Sequence, residues 1–286
     1  MTLLFCRILY TVASQGSFLK AAEVLNLTPS AVSHSVSTME GELGFQVFNR
    51  NKTGVTLTSY GEEIYPMVVE MLRSEEKMQQ VVDGLNGLKK GHVRIGAFNS
   101  VCVQWLPDLI KKYKEKFPYI DVEIYEGSYD DVIRWLVNGI VEIGFLSSSC
   151  GSDFQLTPLY EDPLVCIAPL GFKTNKPGVI TLEEMHQHSF VLQRESCDAD
   201  VKKYLTDHKV DIRSSCHVVD DLSIAAMVRS GLGISIMPEL TSRSICDDLQ
   251  VFQLEPGASR TIGLAIPNKK SLTPAAVELS KLIKEI

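Results

Sequence analysis

Apolar and polar positions divide the chain into four segments. Residues 1 to 58 show short helical periods broken by turn signals. LLFCRILYTVA reads as an amphipathic helix, with Leu4, Ile8 or Leu9, and Val12 on one side. Ser17 is placed to N-cap a helix running to about Leu25, and Asn26 tolerates the left-handed turn after it. Thr28-Pro29 supply an N-cap and an N1 proline for a helix that buries Val32, Val36, Met39 and Leu43. Ala21 and Ala22 are small enough to let two helices cross closely. Two helices joined by a short turn, with a third before them, make a helix-turn-helix. Beyond Gly44, the pairs Phe45, Val47 and Val55, Leu57 alternate on either side of NRNKTG. This predicts a two-stranded wing with a basic tip at Arg50, Asn51 and Lys52.

Residues 59 to 90 form a long helix, opened by a capping box of Ser59 and Glu62. Ile64, Met67, Met71, Ser74, Met78, Val81, Leu85 and Leu88 follow spacings of 3, 4, 3, 4, 3, 4 and 3. That is the a/d seam of a coiled coil, which predicts self-association. Packing against the chain's own domain is the alternative. Pro66 predicts a local bend in the first turns. From residue 91 the pattern alternates strand and helix. Strands are expected at HVRIGAF, IDVEIYEG, VEIGFLS, LVCIAP, FVLQ, CHVVD, ISIMP and TIGLAIP. Helices are expected at CVQWLPDLIKKYKEKF, YDDVIRWLVNG, DADVKKYLTD and DLSIAAMVRSG. The fold class is therefore α/β, with mainly parallel sheets, behind an N-terminal all-α winged helix-turn-helix and a linker helix.

Charge adds an asymmetry. The 286 residues sum to −7, from 28 basic and 35 acidic side chains. Residues 1 to 60 hold Arg7, Lys20, Arg50 and Lys52 against Glu23, Glu40 and Glu42, a balance of +1, which leaves −8 for the remainder. Only the N-terminal segment is not repelled by an anionic polymer. The seven cysteines are odd in number and form no CxxC pair, which points to reduced thiols and a cytoplasmic protein. No run of ~20 apolar residues exists, so no membrane span is expected.

The helix after Thr28 has an unusual outer face. With Val32, Val36 and Met39 inward, Ser30, Ser33, His34 and Ser37 face out, where Lys or Glu would make a better helix. Short hydroxyls exchange hydrogen bonds with base edges and phosphates and let a backbone sit deep in a major groove. An ordinary solvated helix is the bland reading. The basic wing tip beside it favours DNA, since Arg50 and Lys52 would grip phosphate or enter the minor groove.

GSFLKAAEVLNLTPSAVSHSVSTMEGELGFQVFNR, followed by TGVTLTSYG, resembles the LysR-type transcriptional regulators. The resemblance extends through the linker helix to MVRSGLGISIMPE, and so covers nearly the whole chain. It implies a winged helix-turn-helix over 1–58, a dimerising linker helix over 59–90 and a two-lobed, periplasmic-binding-protein-like effector domain over 91–286. Lobe I would span about 91–164 and 266–286, and lobe II about 165–265. The crossovers would lie near residues 164 to 168 and 262 to 266. The resemblance implies a homodimer or homotetramer on double-stranded promoter DNA. Thr28, Pro29, Ser30, Ser33, His34 and Ser37 fall on the family's recognition-helix positions, and Arg50 on its wing arginine. The family often has Gln where Pro29 stands and Arg where His34 stands. Losing both donors shifts weight from base contacts toward DNA shape.

An α/β lobe binds ligands at the carboxyl ends of its strands. Those ends fall at Asn99-Ser100, Ser147-Ser148-Ser149, Gln193-Arg194-Glu195-Ser196 and Asp220-Asp221, and Asn99, Ser100, Ser147, Ser148, Gln193, Arg194, Glu195, Ser196 and Asp220 are the candidate effector residues. Asp221 is expected to N-cap the following helix, and Gly231 to end it. Arg194 suggests a carboxylate effector. Glu195 and Asp220 make an amino acid conceivable. A thiol-sensing regulator would use Cys197, near a helix N-terminus and beside Arg194; Cys102 also follows the first strand closely, and Cys197 and Cys216, 19 residues apart, show no sign of a sensing pair. A solute-binding protein without DNA function would leave the first 58 residues unexplained. An enzyme is disfavoured: there is no GxSxG elbow, HExxH pair or phosphate-binding glycine loop. His186 and His188, two apart, share no helix face, so no metal site or cofactor is expected.

Overall fold

A computed structural model describes residues 2–51, 54–85, 90–150, 154–193, 199–210, 213–267 and 272–285. Helices α1 (Leu3–Gln15), α2 (Phe18–Leu25) and α3 (Pro29–Leu43) precede strands β1 (Phe48–Asn51) and β2 (Gly54–Leu57). The caps follow local chemistry. Ser17 accepts from the Lys20 amide and Thr28 from the Ala31 amide, and Asn26 takes a left-handed φ of 53°. Val32, Val36 and Met39 pack under Ile8, Leu9, Val12, Ala21 and Ala22 in one core. Leu43 is half-buried. Leu4 is 54% exposed, so the inward side of α1 is carried by Cys6, Ile8, Leu9 and Val12 instead.

The wing pairs Arg50 with Val55 and Asn51 with Gly54. Arg50 and Asn51 therefore lie in the strand rather than at the tip, and Lys52 lies outside the described residues. Phe45 and Val47 precede the strand. Val47 is buried, while the Phe45 ring lies tilted against Tyr60, centroids 5.2 Å apart.

Helix α4 (Ser59–Leu85) continues through Pro66. Its cap is Thr58 rather than Ser59. The Thr58 hydroxyl accepts from the Gly61 amide at 3.0 Å and donates to the Gln46 carbonyl at 2.8 Å. Gly61 is required, because a Cβ there would lie 2.3 Å from the Val47 carbonyl oxygen. One side of α4 packs on its own chain through Tyr65, Val68 and Val69. Further along, Gln80 donates to the His92 carbonyl at 3.0 Å and Glu76 pairs with Arg94 at 2.6 Å. The other side leaves the seam exposed at Met67, Met71, Ser74, Met78, Val81 and Leu85. Ile64 is half-buried, and Leu88 lies outside the described residues.

The C-terminal region comprises β3 (Gly91–Ala97), α5 (Asn99–Gln104), α6 (Leu106–Lys116), β4 (Ile120–Glu126), α7 (Tyr129–Val137), β5 (Ile143–Ser147) and β6 (Leu156–Ala168). It continues with β7 (Val179–Thr181), α8 (Leu182–Met185), β8 (Ser189–Gln193), α9 (Ala199–Asp207), β9 (Arg213–Val218) and α10 (Asp221–Arg229). The last elements are β10 (Ser235–Pro238), α11 (Glu239–Ser242), β11 (Gln250–Glu255), β12 (Ser259–Ala265) and α12 (Pro274–Ile283). Strand order in the long sheet is β4-β3-β5-β12-β6-β11-β7, with β10 also on β6, while β8 and β9 pair separately. The sheets are mixed rather than mainly parallel. β12 runs antiparallel to β5 and β6, and β6 runs antiparallel to β10 and β11.

Strand β6 joins the two lobes. Residues 156 to 163 pair with β12, and residues 164 to 168 pair with β10 and β11. The pairing of β6 thus changes partners between Pro163 and Leu164. All of β12 belongs to lobe I, so the return crossover precedes Ser259 rather than falling at 262 to 266. Lobe I has one core, around Ile95, Phe145, Leu264 and Leu279; lobe II has two clusters, around Phe190 and Val228.

Candidate functional site

The outer face of α3 presents Thr28, Pro29, Ser30, His34 and Ser37 to solvent, with Ser33 half-buried. The Thr28 hydroxyl already serves the cap and lies 3.1 Å from the Ser30 hydroxyl. Glu40 fixes the wing against this face: Oε1 accepts from the Val47 and Phe48 amides at 2.8 and 3.1 Å, and Oε2 pairs with Arg50 at 3.4 Å. The Arg50 guanidinium also lies over the Phe18 ring, 5.0 Å from its centroid. The guanidinium is thus half-exposed and held on two sides. Asn51 is exposed at the end of β1.

The second site is a cavity of about 350 Å³ between the lobes. Asn99, Ser100, Gln193 and Asp220 line it, four of the nine sequence candidates. Two others do not. Ser147 is fully buried behind the cavity, held by Asp200, and Ser148 points outward, its amide bonded to the Thr261 carbonyl. Arg194, Glu195 and Ser196 lie outside the described residues. Asp220, rather than Asp221, caps α10, accepting from the Ser223 amide at 2.8 Å and its hydroxyl at 2.6 Å. These bonds hold the Asp220 carboxyl below the usual range.

Arg260, Asp162, Tyr129 and Asp200 are not among the sequence candidates, while Asp221, which the sequence sets at the same strand end as Asp220, also lines the cavity. Arg260, buried at the start of β12, is the centre of the cavity floor. It donates to Asp162 Oδ2 at 2.7 and 3.0 Å, to the Tyr129 hydroxyl at 2.9 Å and to the Ser100 hydroxyl at 2.7 Å. Its guanidinium lies 4.9 Å from the Phe98 ring centroid. Burial opposes its charge, but Tyr129, Asp162 and Asp200 outweigh burial and raise its pKa. The Asp162 carboxyl is pushed up by burial against the pull of Arg260, and its Oδ1 accepts from the Leu240 amide at 2.9 Å. Burial also raises the Tyr129 phenol and keeps it protonated at neutral pH. Asp221 is pushed up to about 6 by burial, with Arg260 opposing and Asp220 adding to the rise.

Thiol chemistry finds little support. Burial pushes Cys102 up to about 12, far from a thiolate at neutral pH. Cys197 lies outside the described residues. Among the described residues no group of three potential ligands could hold a metal, and no helix is long and apolar enough to cross a membrane.

Two family models match the chain. Residues 5–62 match the bacterial regulatory helix-turn-helix protein of the lysR family, and residues 86–286 match the LysR substrate binding domain. The uncharacterised HTH-type transcriptional regulator YvbU of Bacillus subtilis is 27% identical over 293 residues, covering 100% of this chain and 99% of that protein. Among solved structures, a full-length OxyR variant from Pseudomonas aeruginosa superposes with a TM-score of 0.80 at 24% identity, covering 99% of this chain and 95% of that one. Full-length CbnR complexed with its target DNA superposes with a TM-score of 0.66 at 15% identity, covering 100% and 99%.

Proposed function

Because the chain belongs to the LysR family of bacterial transcriptional regulators, we propose that the outer face of α3 reads operator DNA and the cavity between the lobes takes the effector. The protein is a DNA-binding transcriptional regulator with an effector domain, which removes the solute-binding alternative. Ser30, Ser33, His34 and Ser37 would enter the major groove, while Arg50, Asn51 and Lys52 would contact the backbone beside it. The observation that carries this reading is the uncharged, hydroxyl-rich face of α3 beside an arginine locked to Glu40. CbnR, solved with its target DNA, has this fold, in keeping with that placement. In the cavity, Asn99, Ser100, Gln193 and Asp220 would meet the ligand, with the effector acting by binding two lobe arrangements unequally. A regulator acting on promoter DNA works in the cytoplasm.

The test is selection of bound sequences from random duplexes, followed by fluorescence anisotropy. His34→Ala and Ser37→Ala should each relax the selected consensus at one or two positions. Arg50→Ala should weaken binding uniformly across sequences. A consensus unchanged by every α3 substitution would remove α3 as the reading element.

A further inference from the structure

Asp200 connects the lobes. It stands on α9 in lobe II, 7% exposed, and its carboxylate reaches into lobe I. Oδ2 accepts from the Tyr129 hydroxyl at 2.9 Å, and Oδ1 accepts from Ser147 Oγ at 2.7 Å and from Ser149 Oγ. All three donors belong to lobe I. Arg260 donates to the Tyr129 oxygen from the opposite side, which turns the phenol proton toward Asp200. Ser147, Ser149 and Tyr129 thus form a cradle of hydroxyl donors, shaped for a carboxylate and already holding one.

We propose that Asp200 is a built-in anion that fills this cradle, holding the lobes together without a ligand and excluding a carboxylate effector from the cradle. The inference rests on reading the interlobe cavity as the effector site. It makes Asp200 a specificity-determining residue. An effector must either use the remaining cavity wall of Asn99, Gln193, Asp220 and Asp221 or displace Asp200. Arg260 offers a carboxylate little, since Asp162 balances its charge and Ser100 and Tyr129 take further donors. A second carboxylate beside Asp200 would meet like charge in a poorly solvated place.

Chemical rescue tests this on the full-length protein. Asp200→Ala removes the carboxylate and leaves a gap the size of formate. The variant should melt at least about 4 °C below the parent and show a larger radius of gyration in X-ray scattering. Sodium formate should restore both, and sodium chloride at equal ionic strength should restore neither. Formate should leave the parent unchanged. Asp200→Asn, which keeps the gap filled, should not respond to formate. An Asp200→Ala protein as stable and compact as the parent, or one indifferent to formate, would overturn the proposal. So would a formate response in the parent. If Asp200→Ala fails to fold, Ser149→Ala decides: a larger radius of gyration supports the clasp, and an unchanged one overturns it. None of these readouts involves DNA, so failure of the clasp is distinguishable from failure of the regulator reading.

Discussion

In a single chain, Met67, Met71, Met78, Val81 and Leu85 of α4 are 64, 41, 62, 44 and 83% exposed. Such a stripe at heptad spacing stays wet unless a second copy covers it. Fully burying a side chain of this size is worth about 1.5–3 kcal/mol. Weighted by their exposure, Met71 and Met78 amount to roughly one such side chain, and a twofold seam doubles it, giving about 4 kcal/mol. Met71→Glu combined with Met78→Glu removes that contribution and places four carboxylates in the seam. The dimer dissociation constant should rise by about 1,000-fold or more, at 1.4 kcal/mol per decade. Sedimentation velocity over a dilution series reads it, with circular dichroism confirming unchanged helix content. Association within about tenfold of the parent would refute the seam as the contact.

Three further outcomes follow from buried groups. Asp162→Ala strands the Arg260 charge and the Leu240 amide, and should cost about 3–5 kcal/mol in urea unfolding; a loss below about 1 kcal/mol would contradict the buried pair. Asp221 titrates at about 6 in the fold, above an unfolded value of about 3.9. The folded state therefore holds that proton more tightly, and stability from this group falls as pH rises from about 4 to 6. Asp221→Asn should be more stable than the parent at pH about 7.5, by less than about 3 kcal/mol, and should lose that slope; thermal melts across pH check both. Glu40→Ala frees the Val47 and Phe48 amides and releases Arg50, so hydrogen exchange at those amides should quicken and DNA affinity should fall for all sequences alike.

The parts of the fold legible in the sequence are those set by local chemistry. Ser17, Asn26 and Thr28-Pro29 mark helix ends because their side chains or backbone preferences act within three residues. The seam was legible because heptad spacing alone defines it. The first half of β6 was hidden by Pro158 and Pro163, which lack amide donors and read as turns, yet both take part in the pairing with β12. The QVFQLE alternation of β11 buries only Phe252 and Leu254 beside the turn signals of Pro256 and Gly257. The cap of α4 moved to Thr58 because the Thr58 hydroxyl also bridges to Gln46, a tertiary contact. The cavity floor was illegible for the same reason. Arg260 and Asp162 lie 98 positions apart and Asp200 and Tyr129 71 apart, so no window of sequence joins them.

The central claim is selective DNA binding by the N-terminal domain of an effector-controlled regulator. The most direct measurement is a salt titration of binding to the DNA upstream of the protein's own gene, with footprinting against random duplex of equal length. The account predicts protection of two half-sites spaced by whole helical turns, with affinity falling steeply as salt rises. Equal, weak binding to both duplexes, or binding indifferent to salt, would contradict it.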